Sequence, residues 1–211
     1  MEDMFAQAVD KDNDTCLPDL AALIGSRICH DLTSPLGAIA NGLELLELSG
    51  QTGSPEMALI AQSVTHAKAR VQFLRVAFGA AGAGHRMGGS ELAGIVTDHV
   101  RGGRVQIDWP AGAEVPRPEA KLAFLVLMCL ETALPFGGQI AVVRDGGRWH
   151  FEAEAERMRD QAELWSALSG RTPMPDLAPP KVQFPLAAHM AAQLGRRIQV
   201  EQGAGRLLVS A

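Results

Sequence analysis

Apolar residues recur every three or four positions along residues 17–48, and this periodicity is the strongest constraint on the fold. Such steps are the signature of an amphipathic α-helix. The repeat consists of Leu17, Leu20, Ile24, Ile28, Leu32, Leu36, Ile39, Leu43 and Leu46. A second helix is predicted to start after Ser54, because Pro55 and Glu56 are typical of a first helical turn. Two long helices joined by a short turn predict an antiparallel hairpin.

The hairpin has more apolar surface than two helices can cover. The stripe on the first helix is too wide for one neighbour. The second helix carries a heptad seam made of Ile60, Val64, Ala67, Val71, Leu74 and Phe78. A second copy of the hairpin would bury both stripes in a four-helix bundle around a two-fold axis. The sequence therefore predicts a homodimer.

Small residues mark the end of the hairpin. The stretch from Gly79 to Gly89 is rich in glycine and alanine, which is typical of a flexible linker. We therefore expect an acidic tail at 1–16, the hairpin at 17–80, a glycine-rich linker at 81–89 and a second domain at 90–211.

The second domain is predicted to mix helices and strands. Ser90 is expected to cap a helix that runs to Val100, and Gly146-Gly147 to turn a β-hairpin. The other expected elements are a strand at 105–109, a buried helix at 118–134, strands at 139–144 and 148–155, helices at 160–168 and 182–194, and strands at 197–201 and 206–210. This order predicts an α+β sandwich, with helices on one face of a mostly antiparallel sheet.

The composition excludes several classes of function. The net charge of −5, without a run of basic residues, argues against a nucleic-acid ligand. The longest apolar stretch, 122–130, is too short to span a membrane. The start of the chain is acidic and lacks the features of an export signal, so we expect a cytoplasmic protein. The three cysteines, Cys16, Cys29 and Cys129, have no metal-ligand or disulfide spacing.

His30 lies opposite the apolar stripe of the first helix when its residues are placed on a helical wheel. An exposed histidine is ordinarily inert. Here, however, its face carries small or polar neighbours: Ser26, Arg27, Ser34 and Asn41. Such a face leaves the imidazole approachable by another protein, and a neutral imidazole is a competent nucleophile.

Asp31 and Pro35 flank this position. Asp31 points about 100° away from His30 on an ideal helix. Its carboxylate either helps orient the imidazole or is an ordinary surface carboxylate. Pro35 cannot donate a hydrogen bond to the carbonyl of Asp31, so a kink is expected just after the histidine. The other histidines, His99 among them, are expected to be satisfied or solvated side chains.

Residues 26–46 carry a family resemblance; they read SRICHDLTSPLGAIANGLELL. This segment resembles the H-box of sensor histidine kinases and, more narrowly, the ChpT family of histidine phosphotransferases from alphaproteobacterial cell-cycle relays. The resemblance implies a dimerisation and phosphotransfer hairpin, followed by a domain shaped like the ATPase domain of histidine kinases. It also implies that receiver domains dock beside His30.

The nucleotide motifs of a working kinase are missing from the second domain. The helix at 118–134 ends in LETAL, without the asparagine that helps hold Mg²⁺ and the phosphates. The strand at 148–155 is followed by ERMRD, without the expected glycine-rich loop, and residues 179–186 read PPKVQFPL where a glycine-rich lid is expected. We therefore expect no ATP binding and no cofactor of the chain's own, with Mg²⁺ supplied by a partner receiver domain.

The primary hypothesis is a phosphorelay intermediate. His30 accepts a phosphoryl group from the receiver domain of a hybrid histidine kinase and passes it to a response regulator. Arg27, Ser34 and Asn41 would support the phosphoryl oxygens, and Asp31 the imidazole ring. Three alternatives stay open: a dimeric scaffold that binds a kinase or regulator without chemistry, an autophosphorylating kinase, and a phosphatase in which Ser34 matters.

Overall fold

The computed structural model describes most of the chain beyond residue 54 and part of the first helix. The described residues are 27–28, 31–32, 34–35, 37–39, 41–42, 45, 55–79, 81, 84–110 and 112–211. Several features predicted above lie outside these residues: the tail at 1–16, Cys16, Ser26, Cys29, the turn between the two long helices and His30 itself.

The two N-terminal helices run antiparallel, as predicted. Every described residue between 27 and 45 is helical, and we name this segment α1. Helix α2 spans Pro55–Phe78 and starts at the predicted proline. Asp31 of α1 binds Arg70 of α2, whereas Gly42 lies against Ile60. Because the residue number falls along α1 as it rises along α2, the two helices point in opposite directions.

The rest of the chain folds into an α+β domain. Its elements are β1 (Arg86–Met87), α3 (Gly89–Val100), β2 (Val105–Asp108), β3 (Val115–Pro116), α4 (Arg117–Ala133), β4 (Gly138–Asp145), β5 (Arg148–Glu154), α5 (Ala162–Leu168), a 3₁₀ turn (Pro179–Lys181), α6 (Gln183–Gln193), β6 (Gln199–Gly203) and β7 (Arg206–Ser210). The five-stranded sheet has the order β2-β4-β5-β7-β6, and only β2 and β4 pair in parallel. The predicted α+β class is confirmed.

The predicted β-hairpin forms around Gly146 and Gly147. Their φ angles are +54° and +80°, so both adopt the left-handed conformation that a two-residue turn of this kind requires. In β5, Trp149, Phe151 and Ala153 are buried while their neighbours face outward, as the alternation predicts.

Three local predictions need correction. Ser90 does not cap α3, because the helix begins at Gly89 and Gly88 occupies the cap position. Trp109 is buried but lies just beyond the end of β2. The sequence analysis also missed the ladder of β1 with β3, which pairs Arg86 with Pro116 and Met87 with Val115. Two-residue strands are too short to show a periodic pattern.

The hydrophobic core runs from the sheet into the end of α2. Helix α4 is buried along most of its length between the sheet and the other helices. Phe73, Leu74, Val76 and Ala77 of α2 join the same core. The last turns of the hairpin therefore pack on the second domain, beyond the linker predicted at 81–89. The domain boundaries themselves stay a prediction.

Basic side chains of α4 hold the end of α2. Lys121 Nζ donates to the carbonyls of Phe78 at 3.3 Å and Gly79 at 3.0 Å, and Arg117 donates to the carbonyl of Arg75 at 2.8 Å. Cations that bind the last carbonyls of a helix also interact favourably with its dipole. This capping fixes where α2 meets the sheet domain.

Candidate functional site

The carboxylate of Asp31 lies between two arginines. Arg27 Nε donates to Asp31 Oδ2 at 2.7 Å, and Arg70 donates to the same oxygen at 2.8 Å. The Asp31 side chain is only 8% exposed. Of the two readings left open by the sequence, the surface carboxylate is therefore wrong: Asp31 is an internal anchor between α1 and α2.

Arg27 reaches Asp31 because residues four apart in a helix lie on one face. Its guanidinium also donates to the carbonyl of Pro180 at 3.1 Å, so α1 contacts the 3₁₀ turn of the second domain. Two guanidinium groups thus share one carboxylate oxygen, and Glu131 of α4 places a second carboxylate near them. Guanidinium groups are well suited to bind the oxygens of a phosphoryl group.

A chain of polar contacts continues from Arg70 into the second domain. Arg70 lies 3.2 Å from His99 Nε2 at the end of α3, and the same nitrogen lies 2.9 Å from Glu131 Oε1 on α4. The His99 ring stacks on Phe73 with the centroids 3.8 Å apart and the planes inclined by 16°. Its side chain is 3% exposed. This series of contacts therefore links α1, α2, α3 and α4.

The pKa of Glu131 is lowered by its neighbours. Burial alone would raise it, but the attraction of His99, the hydrogen bond from that ring and the charges of Arg70 and Arg27 outweigh burial. Glu131 is therefore held as a carboxylate facing the cationic end of the network.

A cleft of about 370 Å³ opens beside this network, between the hairpin and the second domain. It is lined by Asp31, Ser34, Pro35, Ala38, Ser63, His66, Arg70, Asp98, His99, Arg101, Gly102 and Gly103. Of the predicted site residues, Asp31 and Ser34 line the cleft and Arg27 lies behind Asp31. Asn41 is exposed further along α1, and His30 lies outside the described residues.

Aromatic packing joins α5 to α6, and hydrogen bonds tie the loop after β5 to α4. Trp165 and Phe184 are buried and meet edge to face with their ring centroids 5.2 Å apart. Thr132 donates to Gln161 at 3.1 Å, and the backbone N–H of Arg159 donates to the carbonyl of Ala133 at 2.9 Å. The loop after β5 is thereby tied down on the end of α4.

Metal-binding clusters and membrane-spanning helices are both absent from the described part of the chain. Within it, no group of three or more His, Cys, Asp or Glu side chains could hold a metal ion. Among its helices, none combines the length and hydropathy that a membrane crossing needs.

Comparison with known proteins identifies the family. Residues 89–206, more than half of the chain, match the model of the histidine phosphotransferase C-terminal domain. The chain belongs to the histidine phosphotransferase family. It is 36% identical over 200 residues to the protein phosphotransferase ChpT of Brucella abortus (strain 2308), covering 92% of this chain and 95% of the relative. The structure of a bacterial phosphotransferase matches with a TM-score of 0.75 and 32% identity, over 91% of this chain and 95% of the other.

This histidine phosphotransferase is therefore a protein phosphotransferase of the ChpT type, as the resemblance implied. Sequence reasoning placed Asp31 in the site but missed Arg70, His99 and Glu131. One signal was available: Leu92, Val96 and His99 are spaced by four and three, which places the histidine on the buried face of α3. The contact of Arg70 with Asp31 left no local signal, because it depends on the register of α1 against α2.

Proposed function

We propose that this chain is a phosphorelay intermediate whose phosphoacceptor is His30. It takes a phosphoryl group from the receiver domain of a hybrid histidine kinase and passes it to the aspartate of a response regulator. Family membership supports transfer between proteins. The main structural support for this site is the position of Asp31, which follows His30 in the sequence. Asp31 lies at a cleft and between two arginines.

The transfer balances without a further reactant. The unprotonated nitrogen of a neutral His30 imidazole attacks the phosphorus of the donor aspartyl phosphate. A P–N bond forms, the P–O bond to the aspartate breaks, and the aspartate leaves as a carboxylate. The ring keeps its proton on the other nitrogen and carries a positive charge until the second transfer. That transfer reverses these bond changes on the acceptor aspartate.

The remaining site residues take supporting roles in this proposal. Ser34 lines the cleft and is exposed, so its hydroxyl is free to donate to a phosphoryl oxygen. Asn41 is exposed on the same helix and would contact the incoming domain. Arg27 is engaged with Asp31 and Pro180, and so supports the phosphoryl group through its charge. Asp31 stabilises the charged ring.

The second domain contributes surface and support without nucleotide. The Trp165 and Phe184 rings pack edge to face between α5 and α6, and the glycine-rich motifs are missing from the sequence. Phosphoryl transfer depends mainly on in-line positioning and charge neutralisation. The Mg²⁺ that assists the reaction would be bound by the receiver domain, so this chain needs no cofactor of its own.

The working unit in this proposal is a homodimer in the cytoplasm. In the single chain, Val71 of the predicted seam is 45% exposed, as is Met57 on the same face of the helix, whereas Leu74 of the seam is buried in the chain's own core. Ile60, Val64 and Ala67 are only half-buried. A second hairpin packed on this surface would bury these side chains. Cys129 is a free, buried thiol, which suits a reducing compartment.

The test is phosphotransfer from a radiolabelled receiver domain of a hybrid histidine kinase, freed of its kinase and of ATP. Wild-type chain should gain acid-labile, base-stable label, and His30→Ala should gain none. His66→Ala is the matched control, because it removes an exposed histidine of α2 that also lines the cleft. Label on His30→Ala would place the phosphoacceptor elsewhere. No label on wild type with competent receivers would favour the scaffold, and label from ATP alone would favour the kinase.

A further inference from the structure

We infer that Arg70 is a positioning residue for phosphotransfer, and that the second domain holds Arg70 in place through His99 and Glu131. The inference rests on the proposed role of His30. It gives the second domain a role in the reaction, which is to fix the position of Asp31, the residue next to the phosphoacceptor in sequence.

Arg70 bridges the two parts of the molecule with one rigid group. One guanidinium nitrogen donates to Asp31 at 2.8 Å. Another lies 3.2 Å from His99 Nε2, which itself donates to Glu131, so contact with the ring and attraction to the Glu131 carboxylate hold this end of Arg70. The guanidinium is planar and its donors form a fixed fork. A rotation that breaks one contact therefore disturbs the other. The position of Asp31 is coupled to the position of His99.

The His99 end of the bridge is fixed in the core. Its ring is stacked on Phe73, hydrogen-bonded to Glu131 and almost fully buried. Phe73 in turn packs on Phe124 of α4, with the ring centroids 4.7 Å apart. A side chain held by packing and hydrogen bonds on separate elements has little freedom to move. His99 is therefore a firm anchor, and Arg70 transmits its position to α1.

The anchoring of Asp31 affects the rate of phosphotransfer because Asp31 is the covalent neighbour of His30. In-line transfer requires close alignment, and a misplacement of about 1 Å is enough to slow a reaction on the order of 100-fold. Loss of Arg70 removes the contacts that this side chain makes with Asp31 and His99, whereas the contact of Arg27 with Asp31 lies within α1 and stays. The helix would stay formed while its placement loosens. The expected defect is thus in the rate of transfer.

The experiment compares Arg70→Gln, Arg70→Lys and His99→Gln in the full-length chain. Arg75→Gln is the matched control, because Arg75 is an exposed arginine of the same helix outside the cleft. A labelled receiver domain serves as donor, and rate, final extent of labelling and melting temperature are measured. The extent reports the fraction of folded, competent chain. The rate at saturating receiver reports positioning.

We expect Arg70→Gln to lower the saturated transfer rate by about 10- to 100-fold. The extent of labelling and the KM for the receiver should change less than about twofold. Arg70→Lys should recover little of the rate, since an ammonium keeps the charge but cannot bridge both partners. Adding His99→Gln to Arg70→Gln should slow transfer no further, because both changes break the same bridge.

Different results overturn different statements. A wild-type rate in Arg70→Gln, or full additivity with His99→Gln, would overturn the positioning role while leaving the proposed function intact. Failure of wild type to label, or labelling of His30→Ala, would overturn the proposed function. If Arg70→Gln does not fold, Glu131→Gln replaces it, since it loosens the anchor one step further away. A wild-type rate in both Glu131→Gln and His99→Gln would then overturn the inference.

Discussion

Arg70 of α2 donates to the carboxylate of Asp31 on α1 at 2.8 Å, so the residue beside the proposed phosphoacceptor is tied to the opposite helix of the hairpin. Arg27 donates to the same oxygen from one turn away. The carboxylate therefore stabilises both the local helix and the pairing of the two helices. Because Asp31 binds both arginines, a substitution at Asp31 tests how much these ion pairs stabilise the hairpin.

Asp31→Asn should destabilise the fold by about 1–3 kcal/mol, because two mostly buried guanidinium groups lose their anionic partner. Urea unfolding followed by circular dichroism measures the change. Asp98→Asn is the control: it breaks the exposed pair with Arg101, which should cost less than about 1 kcal/mol. Equal effects of the two substitutions would contradict the internal position of Asp31.

Gly42 and Gly37 offer a matched pair on α1. A Cβ at Gly42 would overlap the side chain of Ile60, whereas a Cβ at Gly37 would meet open space. Gly42→Ala should therefore destabilise the fold by about 1–3 kcal/mol through overpacking. Gly37→Ala should stabilise it by about 0.5–1 kcal/mol, because alanine is the better helix former. Unfolding curves that show the same sign for both would contradict the close approach of the helices.

The lowered pKa of Glu131 predicts that this residue stabilises the fold to an extent that depends on pH. Its pKa is lowered in the folded chain, since the charges of His99, Arg70 and Arg27 outweigh burial. A carboxylate of this kind stabilises the fold above its unfolded pKa of about 4.3, and the stabilisation is lost as the pH falls through the folded value. The stability difference between wild type and Glu131→Gln should therefore be largest near neutral pH and shrink below about pH 4.

Chemical unfolding at a series of pH values measures this difference. Glu163→Gln is the control, because it removes an exposed carboxylate on α5. A Glu131→Gln difference that grows as the pH falls would contradict the direction of the shift.

The second domain should not bind ATP. The sequence lacks the asparagine and the glycine-rich loops that hold a nucleotide in a working kinase, and the loop after β5 is bonded to the end of α4. Calorimetric titration with Mg·ATP should show no saturable heat up to about 1 mM, the weak end of specific affinity. A histidine kinase ATPase domain in the same buffer provides the positive control. Saturable binding would restore the kinase as a candidate.

The regular elements of this chain were predictable because each reflects a local pattern. The three- and four-residue repeat identified α1 and α2, the apolar run identified α4, and Gly146-Gly147 located the turn between β4 and β5. The errors lie where local patterns are too short. The two-residue strands β1 and β3 are stabilised by pairing with each other, and α3 starts one residue before Ser90.

The residues of the candidate site also fall into two groups, those that the sequence predicted and those that it did not. Asp31 and Ser34 were selected by their spacing from His30, and both line the cleft. Arg70, His99 and Glu131 come from three different helices, and 61 positions separate the first from the last. Side chains on separate elements meet only once the elements pack. Their contact depends on helix register and on the crossing of α2 over α3 and α4, which residue spacing does not encode.

By itself, the sequence determined the helical hairpin, the α+β class and the family, because periodicity, turn residues and a contiguous motif are local properties of the chain. Only the tertiary structure decided that the end of α2 belongs to the core of the second domain and that Arg70 connects Asp31 to His99. The physical reason is that burial and ion pairing depend on distances between elements. Those distances are set by the packing of the whole molecule.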